Sequence, residues 1–518
     1  MRFRVRSTVG SMVAAVMAVG FVSFMPTGFA QQPESAASGP PPAKVALTGG
    51  RIIPVVGPEI ATGTIVVEHG RITAVGPTDE VKIPYDAMEV DVSGKVVMPG
   101  MIDPQSWRGL DVSNENLPVA PFLDVYDAID PSRLYFEDAL RDGVLAIHVI
   151  QADNCVIGGL SRVVKPIGLT PDEMTIAAQN GIKMSITPKR GFDRMRQLTT
   201  LRETFAELDW YLEQLAEQKY EESLEEKEKK IDVGPAEARE RGKDLIKDED
   251  YDDKHANLMR LRRGDFGAWI FCGAAMDVQP GITLATDEGF LDNAVFILGA
   301  EAHKAVTQLK AAGRPVLLPG NLYYRERDQL TGELKEVFIP SEIHDAGLMF
   351  ALQPNPGGSL AEAYLNYQAA MCVRNGIPRQ TALEAITINP ATMMGVGDEL
   401  GSIEPGKIAN LVVMSGDPFD FESWVELCYI DGILAYDRAR DYRLEKQLEL
   451  EATRAEQAKA EEDATKGKPD DDDGDDSAEE GDEATSEGAS AEGSSEEGDG
   501  DGDGDGSGES GDTGGGDQ

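Results

Sequence analysis

Between residues 143 and 352 the chain repeats one pattern: a short, continuous apolar run, then a longer segment with helical spacing. The runs cover residues 143–150, 268–273, 294–299, 315–319 and 347–352. Unbroken apolar residues at these lengths suit strands buried on both faces of a parallel sheet. Residues 300–312 and 360–375 carry the helical spacing. Repeated strand–helix units over about 300 residues fit an α/β fold of the (β/α)8, TIM-like barrel type. The full length of 518 residues leaves room for that barrel and a satellite domain.

The two ends of this region read differently. Residues 45–47, 51–55, 64–68 and 71–75 are short strands divided by Gly49-Gly50, Gly63 and His69-Gly70. Small strands return at 400–403, 409–414, 427–430 and 433–436, the last two joined by an Asp431-Gly432 turn. The simplest arrangement packs both sets into one β-sandwich beside the barrel, from residues 44–98 and 396–437. The barrel then spans 99–395. A charged helical stretch at 199–263, broken at Gly234-Pro235, interrupts its rhythm and reads as an insertion with a solvated face.

Beyond the sandwich, residues 438–465 read as a charged helix. From 466 to 518 the chain is Asp, Glu, Gly and Ser, with 21 acidic residues and no basic ones between Pro469 and Gln518. Such a tail buries too little apolar surface to offset its ordering entropy and is expected to be disordered. Its Asp-Gly repeat at 499–505 lacks the spacing of a calcium loop. The overall net charge of −44 argues against nucleic-acid binding, which needs clustered Lys and Arg. The four cysteines, Cys155, Cys272, Cys372 and Cys428, form no CxxC pair and read as buried thiols.

Residues 1–30 read as a signal peptide. Arg2, Arg4 and Arg6 precede an apolar stretch at 9–25, and Gly28-Phe29-Ala30 offers small residues at a cleavage site. A Pro/Ser/Ala linker follows at 31–43. The expectation is an exported protein, periplasmic or extracellular, and not an integral membrane protein after cleavage.

Several runs resemble the amidohydrolase superfamily, in its imidazolonepropionase-like branch. They are GTIVVEHGRITAVG at 63–76, GKVVMPGMID at 94–103, ALEAITINPATMMG at 382–395 and GSIEPGKIANLVV at 401–413, with AEAHK at 300–304 between them. The resemblance covers residues 44–436 and implies a TIM-like barrel with a composite β-sandwich. It also implies metal-dependent hydrolysis of C–N bonds other than peptide bonds. In the family a divalent metal such as zinc activates a water at the carboxyl ends of the strands. His-x-His after the first strand, His after the fifth and sixth, and Asp after the eighth hold it.

This sequence departs from that ligand set. The first motif reads Asp103-Pro104-Gln105-Ser106-Trp107, so both histidines are replaced. Cys272 is the match after the fifth strand, Leu298 after the sixth, and the eighth reads Leu352-Gln353-Pro354-Asn355 without a carboxylate. His69, His148, His255, His303 and His344 occupy no ligand position. Lys165 is the one candidate for a carboxylated bridging lysine of the kind some relatives use.

The candidates for the barrel mouth are therefore Asp103, Gln105, Trp107, Cys272 and Asn355, with no resident metal or other cofactor expected. A degenerate amidohydrolase that keeps a small-molecule ligand, in a homo-oligomer, is the leading expectation. The rivals are an active C–N hydrolase using Cys272, Asp103 and His148, and an envelope scaffold using the insertion and the tail.

Overall fold

The computed structural model describes residues 44–225, 233–355, 357–358 and 363–466. The signal-peptide, linker and acidic-tail readings fall outside those residues. Two units are present, divided after Gln447. The second consists, among the described residues, of the helical residues 448–466. Among the described residues, no helix is long and apolar enough to cross a membrane.

The apolar runs form strands where expected. Met101–Ser106 pairs in parallel with Val144–Val149. A second sheet runs in parallel order through Gly181–Ser185, Gly267–Cys272, Ala294–Leu298, Val316–Leu317 and Phe350–Ala351. Residues 157–164 connect the two sheets and run antiparallel to both neighbours. Arg162–Val164 pairs with Val144–Val149, and Ile157–Leu160 pairs with Gly181–Ser185. Between the last strand and the first, Leu352 N–H donates to the Ala385 carbonyl and Ile102 N–H to the Ile386 carbonyl, both at 3.0 Å. This mixed α/β order is consistent with a TIM-like barrel whose third strand is reversed.

That reversed strand was not anticipated, because Gly158 and Gly159 interrupt its apolar pattern. Both glycines answer to close packing. A Cβ on Gly158 would stand 2.7 Å from Gln151 Oε1, and one on Gly159 would stand 2.6 Å from the Leu123 carbonyl oxygen.

Alternation along the strands sorts side chains into two layers. Ile102, Ala146, Val163, Trp269, Ile297, Leu317 and Ala351 share one interior, with Ala391, Met394 and Leu400 packed into it. The intervening residues, such as Ile147, Met184, Ile270, Phe296 and Phe350, face the surrounding helices.

Strands from the two chain regions form one eight-stranded sheet. Its order is Ile433–Asp437, Val425–Ile430, Leu411–Met414, Val96–Pro99, Lys44–Ile52, Ile60–Glu68 and Arg71–Pro77, with Met88–Asp91 beside Lys44–Ile52. Its two tight turns have left-handed backbone at both central residues: φ 50° and 78° at His69-Gly70, 51° and 71° at Asp431-Gly432. Such turns match the twist of the strands they join. Residues 400–403 are not a strand.

The charged stretch folds into helices Arg194–Glu225, Pro235–Lys243 and Asp253–Arg263. An unforeseen hairpin, Tyr323–Arg327 with Leu334–Phe338, follows the seventh strand.

Candidate functional site

Asp103 lies near the carboxyl end of the first strand, 4% exposed. The Tyr135 hydroxyl donates to its Oδ2 at 2.8 Å and the Gln105 N–H to its Oδ1 at 3.2 Å. Burial pushes its carboxyl up to about 6 against those two bonds. It shapes the strand end and holds the helix Leu134–Arg141, which carries Tyr135.

Gln105 is buried. Its Nε2 donates to Asp153 Oδ1 at 3.3 Å, while its Oε1 is buried with no hydrogen-bond partner among the described residues. Asp153 also pairs with Lys183 Nζ at 2.5 Å. Lys183 comes from the fourth strand, between the outward-facing Ile182 and Met184, and is wholly buried. Its Nζ stands 5.9 Å from the centre of the Phe271 ring. Three polar groups from the first strand, the fourth strand and the loop after the second thus converge near the position where the resemblance puts a metal ligand.

Beneath them, His148 is buried in the interior and packs against Trp269, ring centroids 4.3 Å apart. Its Nδ1–H donates to the Pro104 carbonyl at 2.9 Å, which leaves Nε2 to accept from the Ser161 hydroxyl at 2.7 Å. Both ring nitrogens are occupied. Burial pulls the imidazole down to about 3.

That gives a pH prediction. The folded chain holds the His148 proton more weakly than the unfolded chain, whose imidazole titrates near 6.5. Stability present above pH 6.5 is therefore lost as pH falls toward 3, by about 1.4 kcal/mol per pH unit. Asp103, raised in the fold, acts in the opposite sense between about 6 and 3.8. Comparison with His148→Gln cancels the Asp103 contribution. Urea midpoints at pH 7 and pH 5 are expected to fall further for the native chain than for the variant. Equal falls would contradict the assignment.

The other expected residues do not join this cluster. Cys272 faces outward: a Cβ on Gly281, in the helix Ala275–Asp287, would lie 3.3 Å from its Sγ. Burial pushes its thiol far up, so it is no nucleophile. Phe271 is the inward residue at that strand end, and Ile297 takes the place given to Leu298. Trp107 is 42% exposed and lines a surface groove with Arg108 and Asp111. Asn355 is half-buried beside Gly320, on the loop after the last strand. The combination of Cys272, Asp103 and His148 is not assembled.

His255 pairs with Asp252 at 2.7 Å and stacks on Tyr211, and His303 binds the Ala300 carbonyl at 2.7 Å. His69 sits in its turn, and His344 ends a helix at Ile339–Asp345. Lys165 pairs with Asp431 of the hairpin turn at 2.6 Å, not with the interior.

The residues present do not fit a divalent ion. Among the described residues, no three His, Cys, Asp or Glu side chains gather where they could share one. At the strand ends stand the Gln105 amide, the Asp153 carboxylate already paired to an ammonium, and the Asp103 carboxylate already engaged by Tyr135, and the ammonium repels a second cation.

Comparison with known proteins agrees with the architecture. The amidohydrolase family model matches residues 362–436. Imidazolonepropionase from Geobacillus sp. (strain WCH70) is 24% identical, over 72% of this chain and 87% of that protein. N-substituted formamide deformylase from Arthrobacter pascens is 40% identical over 135 residues, 23% of this chain and 25% of that protein. The amidohydrolase structure from Thermotoga maritima MSB8 superposes with a TM-score of 0.61 at 25% identity, covering 76% of this chain and all of that one. A second imidazolonepropionase, from Bacillus mycoides (strain KBAB4), is 22% identical over 74% of this chain and 90% of that protein. The chain is thus similar to amidohydrolases in sequence and fold, and these relatives include hydrolases of C–N bonds.

Proposed function

We propose that this chain is a degenerate amidohydrolase: a TIM-like barrel with a composite β-sandwich that no longer performs metal-dependent C–N hydrolysis. The observation that carries this reading is the Gln105–Asp153–Lys183 cluster. A buried lysine ammonium and its carboxylate partner stand where hydrolytic members need open coordination positions. The amide of Gln105, the Asp153 carboxylate already paired to Lys183, and the Lys183 ammonium make a poor donor set for the divalent cation that would lower the pKa of a bound water. His148, with both nitrogens engaged, is not available as a base.

The signal-like N-terminus supports export to the periplasm or beyond. The unpartnered Gln105 Oε1 supports a small polar ligand at the strand ends as the retained role. No observation favours the remodelled hydrolase, because Cys272 lies on the wrong side of its strand.

The test is turnover. Purified protein supplied with zinc, nickel, iron or manganese is assayed on imidazolonepropionate, an N-substituted formamide, a hydantoin and a lactam. Rates equal to the buffer blank are expected. Metal-dependent turnover of any of the four, lost on replacing Gln105 or Asp153, would overturn the reading.

A further inference from the structure

A cavity of about 590 Å³ opens between the end of helix Leu134–Arg141, the start of helix Leu365–Arg374 and the loop joining strands Leu411–Met414 and Val425–Ile430. None of its lining residues belongs to the strand-end cluster. That volume falls within the range of small-molecule sites. Its walls are aromatic: Tyr364, Tyr367, Phe419 and Trp424 all contribute rings.

Two of these rings already serve as cation faces. The Arg379 guanidinium carbon lies 4.8 Å from the centre of Phe419, and that of Arg438 lies 5.3 Å from the centre of Trp424. Tyr364 and Tyr367 carry no such cation among the described residues.

The cavity also contains a carboxylate with nothing bound to it. The Asp142 backbone N–H donates to the Asp138 carbonyl at 3.0 Å, but no hydrogen bond or ion pair to a described residue reaches its carboxylate. The adjacent Arg141 is committed elsewhere: its Nε and Nη2 donate to Asp441 at 2.7 and 3.2 Å. That pairing holds the Asp441 carboxyl down to about 2. Asp142, by contrast, is pushed up to about 7 by burial and by the Asp138 charge, against the smaller opposing charges of Arg108 and Arg141. A positive group placed beside it would relieve both costs.

We propose that this cavity binds a small organic cation, an amine or quaternary ammonium with an apolar body, whose charge rests on Asp142 and against the rings of Tyr364 and Tyr367. The lining also holds Asp420 and two arginines, Arg141 paired to Asp441 and Arg438 over Trp424, so the Asp142 carboxylate and the free tyrosine faces are what select a weakly hydrated cation over a neutral molecule of the same shape. The proposal is independent of the strand-end reading and survives its failure.

Choline and its uncharged isostere 3,3-dimethylbutan-1-ol test it. Calorimetric titration of the full chain is expected to give one site for choline and binding at least about tenfold weaker for the alcohol. Asp142→Asn and Tyr367→Ala are each expected to weaken choline by about tenfold. If Asp142→Asn fails to fold, shown by its circular dichroism, Tyr367→Ala on its half-buried ring carries the test. Equal affinity for the two probes, no choline binding up to about 10 mM, or choline binding unchanged in Tyr367→Ala would overturn the proposal.

Discussion

Replacing Asp153 with alanine is expected to destabilise the first unit by about 3–5 kcal/mol, because it strands a fully buried lysine ammonium without its counter-charge. Lys183 is wholly buried, whereas the Asp153 side chain is 31% exposed. The two halves of the pair are therefore not equivalent. In Lys183→Met the orphaned carboxylate can still reach water, so the loss is expected to be clearly smaller. Combining the two substitutions removes both charges and is expected to recover much of the Asp153→Ala loss. Urea unfolding of the two single variants and the double variant measures this directly. Equal single losses that add in the double variant would mean that the pair is not a coupled unit.

The second large effect is expected at Trp269. It is among the largest fully buried side chains and fills the interior beside His148. Trp269→Ala removes an aromatic side chain from a layer made by several strands at once, and no neighbour is positioned to refill the space. A loss of about 3–5 kcal/mol in urea unfolding is expected. A loss below about 1 kcal/mol would show that the interior collapses onto the gap. The layer assigned to Trp269 and His148 would then be wrong.

Much of the fold was legible because apolar runs and turn chemistry are local signals. The strands at 144–149, 267–272 and 294–298 stand within a residue or two of their expected bounds. The turns at His69-Gly70 and Asp431-Gly432 adopt the left-handed backbone that their residues favour. What escaped was governed by close approach. Gly158 and Gly159 break the apolar pattern of their strand, and they are glycine because Gln151, Lys183 and Leu123 crowd it.

The site was legible in what it lacked and not in what it holds. The replaced histidines could be read from Asp103-Pro104-Gln105-Ser106-Trp107, which closes the strand Met101–Ser106. The phase of each strand decides whether a residue faces the interior, and a one-residue error reverses it. That error put Cys272 and Leu298 at the strand ends in place of Phe271 and Ile297. Lys183 carried a usable signal: one charged residue alternating with Ile182 and Met184 in a strand buried at every position. Asp153 carried none, since a loop aspartate looks the same whether or not a buried lysine reaches it.

The most direct measurement is the metal content of the purified chain by plasma mass spectrometry, for zinc, nickel, iron and manganese. If Lys183 and Asp153 have taken over the strand ends, fewer than about one ion per ten chains should remain after dialysis. One tightly held ion per chain, lost on substitution of Gln105 or Asp153, would contradict that reading.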